Sequence, residues 1–196
     1  MLKYRPFEMH CHTRHSDGTF LVPQLIESVA AYGYAGLALT DHNAVTGLLE
    51  VTEELQRKNN CLVLPGIEWT TFYGHLLVIG CDRFVDWRFV TPDTIDEALQ
   101  EIRAAGGIAG VAHPCEVGSP LMCGCNWEFR VKRWDLMDYV EIWSGSSRLR
   151  QERPCHALVR CTFKSGLPFG YFSRTRLARP RQARPDPSAD RYLSWY

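Results

Sequence analysis

The 196 residues carry 22 Lys and Arg against 22 Asp and Glu, a formal net charge of zero, and 45% hydrophobic residues. That length supports one domain with a substantial core, and zero charge removes any global electrostatic reason to expect nucleic acid or an anionic membrane as a partner. No apolar run reaches the ~18 residues of a membrane span, and the opening MLKYRPFEMH lacks the apolar core of a signal peptide, so a cytoplasmic chain with its eight cysteines reduced is expected.

FEMHCHT reads as a short strand ending in polar residues, followed by the loop RHSDGTF. VPQLIESVAAYGY places Leu25, Ile26, Val29 and Ala30 at helical spacing, with Pro23 near the start and Gly33 at the end. GLALT is an apolar run of buried parallel-strand type, followed by Asp41 and His42 and then a helix through TGLLEVTEELQRK. CLVLPGIEW and HLLVIG read as strands. TIDEALQEIRAAGG reads as a helix in which Thr94 and Glu97 have capping-box spacing. IAGVAHP and YVEIWSG read as two more strands, and RLRQERPCHALVRCTFKSG as mostly helical. Alternating strands and helices predict an α/β fold with a parallel sheet, barrel-like or open.

In such folds the polar residues at the carboxyl ends of strands converge on the active face. Those ends carry His10 and His12, Asp41 and His42, Glu68, and His113, whereas His75 opens its strand. One histidine alone is more often a surface or hydrogen-bonded core residue; several imidazoles and carboxylates at strand ends point instead to a metal centre. The His10-x-His12 pair is expected to need a strand terminus to turn both rings to one ion. Imidazoles suit zinc, iron or manganese, and carboxylates can bridge two ions, which makes Glu68 the candidate bridge.

HCHTRHSDGT, LTDHNAVTGL, LPGIEWT, GHLLVIG and GVAHP, in this order from about Phe7 to Gly145, resemble the polymerase and histidinol phosphatase (PHP) family. The resemblance implies a distorted (β/α)7 barrel with up to three divalent ions (Zn, Mn or Fe) at the carboxyl ends of its strands. It further implies that His10 and His12 hold one ion, that Glu68 bridges to a second held by His75 and His113, and that Asp17 and His42 hold a third. Glu68 and Asp41 are the candidate catalytic residues. Asp41 would orient an imidazole from behind, or cap a helix. His15 is either an exposed loop residue or a competitor of Asp17 for the third ion; Arg14 either contacts an anionic substrate or faces solvent.

The reaction implied is hydrolysis of a small-molecule phosphate ester, in which a hydroxide shared by two ions attacks phosphorus in line. EWTTFYGH, CGCNW and YVEIWSG are similar to the carbaryl-hydrolase-related branch of the family, which suggests carbamate or carboxylic ester hydrolysis as an alternative. Cys123, Cys125 and Trp127 read as local packing or a substrate loop, and Glu116 as a pocket group or a solvated loop residue.

One element of the family pattern is missing: no Asp-x-His follows His113, and Asp186, Asp190 and His156 do not replace it. Residues 1–169 are therefore expected to form the metallohydrolase domain, incomplete at its carboxyl end. Residues 170–196, with six arginines and two aspartates, are expected to form an atypical tail without strand periodicity that leaves a sheet edge open. One codon choice for Arg-Thr-Arg-Leu-Ala-Arg-Pro encodes Gly-Pro-Asp-Trp-His-Gly one base later, which suggests an altered reading frame. A non-catalytic metal-binding remnant is then a third functional reading.

Overall fold

A computed structural model describes residues 5–114, 127–143 and 170–173. The sequence-based readings of Cys123, Cys125, Glu116, His156, the helix over 148–166 and the tail beyond 173 lie outside the described residues.

Seven strands form one curled sheet in the order of the chain: β1 (Phe7–Cys11), β2 (Gly36–Leu39), β3 (Leu62–Thr71), β4 (Gly74–Ile79), β5 (Ile108–Val111), β6 (Tyr139–Trp143) and β7 (Gly170–Ser173). β1, β2 and β3 are mutually parallel, as are β5, β6 and β7, while β4 runs antiparallel to both β3 and β5. The expected alternation of strand and helix fails at this point. An antiparallel pair needs only a short turn, and Phe72 and Tyr73 supply it, whereas a parallel pair needs a crossover. The reversal of β4 also explains the position of His75: the beginning of an antiparallel strand lies on the same rim as the ends of its neighbours.

β3 changes partner along its length, pairing with β2 through Leu62 to Pro65 and with β4 from Gly66 to Thr71. β7 begins at Gly170, the first residue of the expected tail, and pairs in parallel with β6. The edge expected to be open beside β6 is therefore occupied, and among the described residues β1 and β7 are the outer strands.

Helix α1 (Val22–Ala31) buries Val22, Leu25, Ile26 and Val29 against Leu37, Leu39 and Val63 of the sheet. The side chain of Gln24 accepts a hydrogen bond from the Leu21 N–H at its start. The single helix expected over TGLLEVTEELQRK is divided: a 3-10 turn covers Thr46–Glu50, and α2 (Glu53–Asn59) starts afresh. The division occurs because Thr52 caps α2, accepting from the Leu55 N–H at 3.1 Å, and a capping residue stands in extended backbone.

α3 (Ile95–Ala104) buries Ile95, Ala98, Leu99 and Ile102 beside Ile67, Trp69, Leu76, Val78, Ala109 and Val111. The expected capping box is not formed, because the Thr94 hydroxyl accepts instead from the Thr91 N–H at 2.9 Å.

Side-chain alternation gives the sheet its two faces. Leu37 and Leu39 face α1, and Leu76 and Val78 join the α3 cluster. The intervening Ala38, Leu77 and Ile79 form an opposite-face cluster with Tyr139 and Ala112. Glu68 shares parity with Leu64, His75 with Leu77, and Glu141 with Tyr139, so the apolar layer of the inner face continues into a polar layer at the rim.

Candidate metal centre

His10 and His12 sit at the end of β1 and just beyond it, both buried. Residues two apart on a strand share a face, so the pair needs no terminus to converge, contrary to the expectation above. Their Nε2 atoms are 3.0 Å apart. His113 lies on the wrong parity of β5 to face inward, but its backbone takes the left-handed region with φ 24°, unusual for a residue bearing a side chain, and its ring reaches the others.

Glu68 is the point on which the rings converge. Its Oε2 lies 3.0 Å from His10 Nε2, 3.2 Å from His12 Nε2 and 3.1 Å from His42 Nδ1; its Oε1 lies 2.8 Å from His75 Nδ1 and 2.9 Å from His113 Nε2. His42 is placed by a parallel bridge to Glu68 beyond the end of β2, and its Nδ1 is also 2.5 Å from the Thr70 hydroxyl. The His12 and His42 rings stack at 4.3 Å.

Asp17, largely exposed, stands 3.7 Å from His12 Nδ1 and 3.6 Å from His42 Nε2, on the other ring nitrogens from those facing Glu68. Two sets of donors come within reach of a single ion each: His10, Glu68 and His113, and His12, His42 and Glu68. This grouping differs from the one implied by the resemblance, because it separates His10 from His12.

Asp41 neither orients an imidazole nor caps a helix. Its Oδ1 accepts from the Thr13 N–H at 2.7 Å and the Ser16 hydroxyl at 2.6 Å, and its Oδ2 from the Thr13 hydroxyl at 2.7 Å. It thereby fastens the loop after His12. Burial explains the difference: Thr13 is fully enclosed, so its two donors need an acceptor. His15 turns outward to Thr46 and Glu50, at 2.9 and 2.7 Å, rather than toward Asp17. Arg14 is exposed, and its Nε donates to the Thr19 carbonyl within its own loop. Trp127 packs its ring against Phe129 at 5.2 Å.

Sequence reasoning missed Glu141 and Glu8. Both are buried; Glu141 Oε2 lies 3.1 Å from His10 Nδ1 and accepts from the His113 N–H at 2.8 Å, while Glu8 accepts from the His10 N–H at 3.2 Å. The available signal was a glutamate at inward parity in the strands FEMHC and YVEIW, which apart from His10 are otherwise apolar.

Electrostatics favour cations here. Among the described residues the buried carboxyl and imidazole groups are Glu8, Asp41, Glu68, Glu141 and four histidines, and no lysine or arginine is buried with them. Burial pushes the Glu68 carboxyl upward, but the His10 charge and the hydrogen bonds from His10, His113 and His12 outweigh it and hold the group well below the usual carboxylate range. Burial likewise acts to lower His42, yet the Asp17 hydrogen bond and the charges of Glu68 and Asp17 leave it raised.

Holding a cation, His10 would carry its proton on Nδ1, toward Glu141, and turn the Nε2 lone pair to the side of Glu68 Oε2. Such facing lone pairs suit a cation between them, and the imidazole and carboxylate donors fit zinc, iron or manganese.

Residues 8–109, more than half of the 196, match the sequence profile of the PHP domain. The chain belongs to the PHP domain family. It is 34% identical over 79 residues to a 3',5'-nucleoside bisphosphate phosphatase of Chromobacterium violaceum, an alignment covering 38% of this chain and 27% of that protein. It is 29% identical over 68 residues to the 5'-3' exoribonuclease Rnm of Escherichia coli, covering 34% and 23%. The PHP domain chain therefore aligns with about a quarter of each curated relative's length.

Among solved structures, the fold is similar to a Bacteroides vulgatus two-domain protein containing a predicted PHP-like metal-dependent phosphoesterase. The TM-score is 0.61 at 18% identity, covering 91% of this chain and 53% of that one. The curled, mixed α/β sheet of the described residues is consistent with part of a PHP-type barrel. No helix among the described residues is long and apolar enough to cross a membrane.

Proposed function

We propose that this PHP domain hydrolyses phosphate esters with the help of divalent ions held by His10, His12, Asp17, His42, Glu68, His75 and His113. The observation that carries the reading is the use of both Glu68 oxygens: one faces His10, His12 and His42, the other His75 and His113. Both oxygens of one carboxylate are thus offered to imidazoles, as a carboxylate shared between ions requires.

When bound, divalent ions supply Lewis acidity, generating a nucleophile from water and neutralising charge on the phosphoryl oxygens. The residues of the chain prepare that chemistry. Glu68, fully enclosed and held ionised by its neighbours, supplies the fixed negative charge. Asp41 keeps the loop bearing His12 and Asp17 in place, a supporting task rather than contact with substrate. Asp17, the most exposed member of the ligand set, marks the side open to solvent and hence to an ester.

Similarity to a nucleoside bisphosphate phosphatase and to an exoribonuclease makes nucleotides and short RNA substrates to include, although zero net charge gave no reason to expect nucleic acid. The test offers the protein, with manganese or zinc, p-nitrophenyl phosphate, a 3',5'-nucleoside bisphosphate, a 5'-phosphorylated oligoribonucleotide and a p-nitrophenyl carbamate. Metal-dependent phosphate release is expected. Glu68→Gln should reduce it at least about a hundredfold, beyond the usual cost of losing a partner behind a ligand. Turnover of the carbamate alone would favour the alternative hydrolase, and bound metal without any turnover would favour the non-catalytic remnant.

A further inference from the structure

We propose that Glu141 is a positioning residue that locks His10 and His113 together as one donor unit. It rests on the reading of the site as a metal centre but assigns a task to a residue outside the ligand set.

A single oxygen, Glu141 Oε2, is 3.1 Å from His10 Nδ1 and 2.8 Å from the His113 backbone nitrogen. These contacts act on different freedoms. Oε2 already accepts from the His113 N–H, and accepting from His10 as well puts the ring proton on Nδ1, so that in a metal-bound site Nε2 is the lone pair beside Glu68. The bond to the His113 N–H fixes the main chain where φ is 24°, the unusual turn that carries this ring across to the inner face. Glu141 thus sets the tautomer of one histidine and the backbone of the other, and His10 and His113 belong to the same three-donor set with Glu68.

The placement is costly without such a purpose. Glu141 is fully buried on β6, where its strand neighbour Val140 belongs to the apolar cluster under α3. A carboxylate in that position is disfavoured by desolvation unless hydrogen bonds and charge compensate.

The test compares wild type with Glu141→Gln and Glu141→Asp, each as the full chain. Manganese and zinc dissociation constants are measured by chelator competition, melting temperatures after metal removal, and His10 tautomers from 15N shifts of the metal-free protein. Glu141→Gln is expected to weaken metal binding about tenfold to a hundredfold. Its His10 signals should shift toward mixed tautomers, while the metal-free melting temperature stays near wild type. Glu141→Asp, which keeps the charge, should recover part of the affinity.

Unchanged affinity and an unchanged His10 tautomer in Glu141→Gln would overturn the proposal. So would an affinity loss matched by an equal loss of metal-free stability with the tautomer retained, which would make the residue merely structural. A wild-type protein that binds neither metal would instead overturn the metal-centre reading. The tautomer measurement, made without metal, would still decide the role of Glu141.

Discussion

Asp41 shows how much one carboxylate can contribute by fastening the loop beside the proposed centre. It receives three hydrogen bonds from Thr13 and Ser16, all between 2.6 and 2.7 Å, and Thr13 has no solvent to replace them. Removing the carboxylate strands two buried donors, so Asp41→Ala should cost about 3 kcal/mol, as read from the urea midpoint. The same change should loosen metal binding by releasing the loop that carries Asp17.

The role was not readable from LTDHN because Asp41 and Thr13 are 28 positions apart, and only the pairing of β1 with β2 brings them together. The five histidines that converge on Glu68 were legible as candidates because the proposed ligand chemistry restricts residue type. Glu141 was not, because positioning a histidine asks only for a carboxylate, and any strand can carry one.

At the level of elements, the centre depends on the packing beneath it. Gly110 on β5 lies against the Tyr139 ring: an added Cβ would come within 2.1 Å of Tyr139 Cζ. The neighbouring Glu141 sits one inward position further along β6. Gly110→Ala should therefore displace Tyr139, destabilise the protein by about 1–3 kcal/mol, and disturb the centre through the same strand. Chemical denaturation and metal titration read the two effects separately.

Strand positions were apparent from apolar runs such as GLALT and HLLVIG, since burial on both faces demands them. The connections were less apparent. Helical spacing continues across TGLLEVTEELQRK, yet the Thr52 cap ends one element and begins another. The two-residue link between β3 and β4 could not be recognised until the reversal of β4 was seen.

At the scale of the whole molecule, the described residues bury four carboxyl groups and no lysine or arginine, so a bound cation would supply fixed positive charge that the folded chain lacks there. Cations that bind only the folded state stabilise it by mass action. At about a hundred times its dissociation constant one ion contributes about 2.7 kcal/mol. For a chain of this size that corresponds to a rise in melting temperature of about 5–10 °C. Differential scanning calorimetry with manganese, and again after chelation, should show the rise and its reversal; an unchanged transition would contradict the proposed centre.

The change of partner within β3 gives this centre a mechanical character. β3 is hydrogen-bonded to β2 through Pro65 and to β4 from Gly66 onward, and Glu68 stands just past that junction. Three of its imidazole neighbours arrive from the first part of the chain, the other two from β4 and the end of β5. An ion seated on both sides of Glu68 would act as a clasp across a seam, and its capture would report that the seam is closed. A protein cut near the seam would retain half of the histidines and lose the clasp altogether.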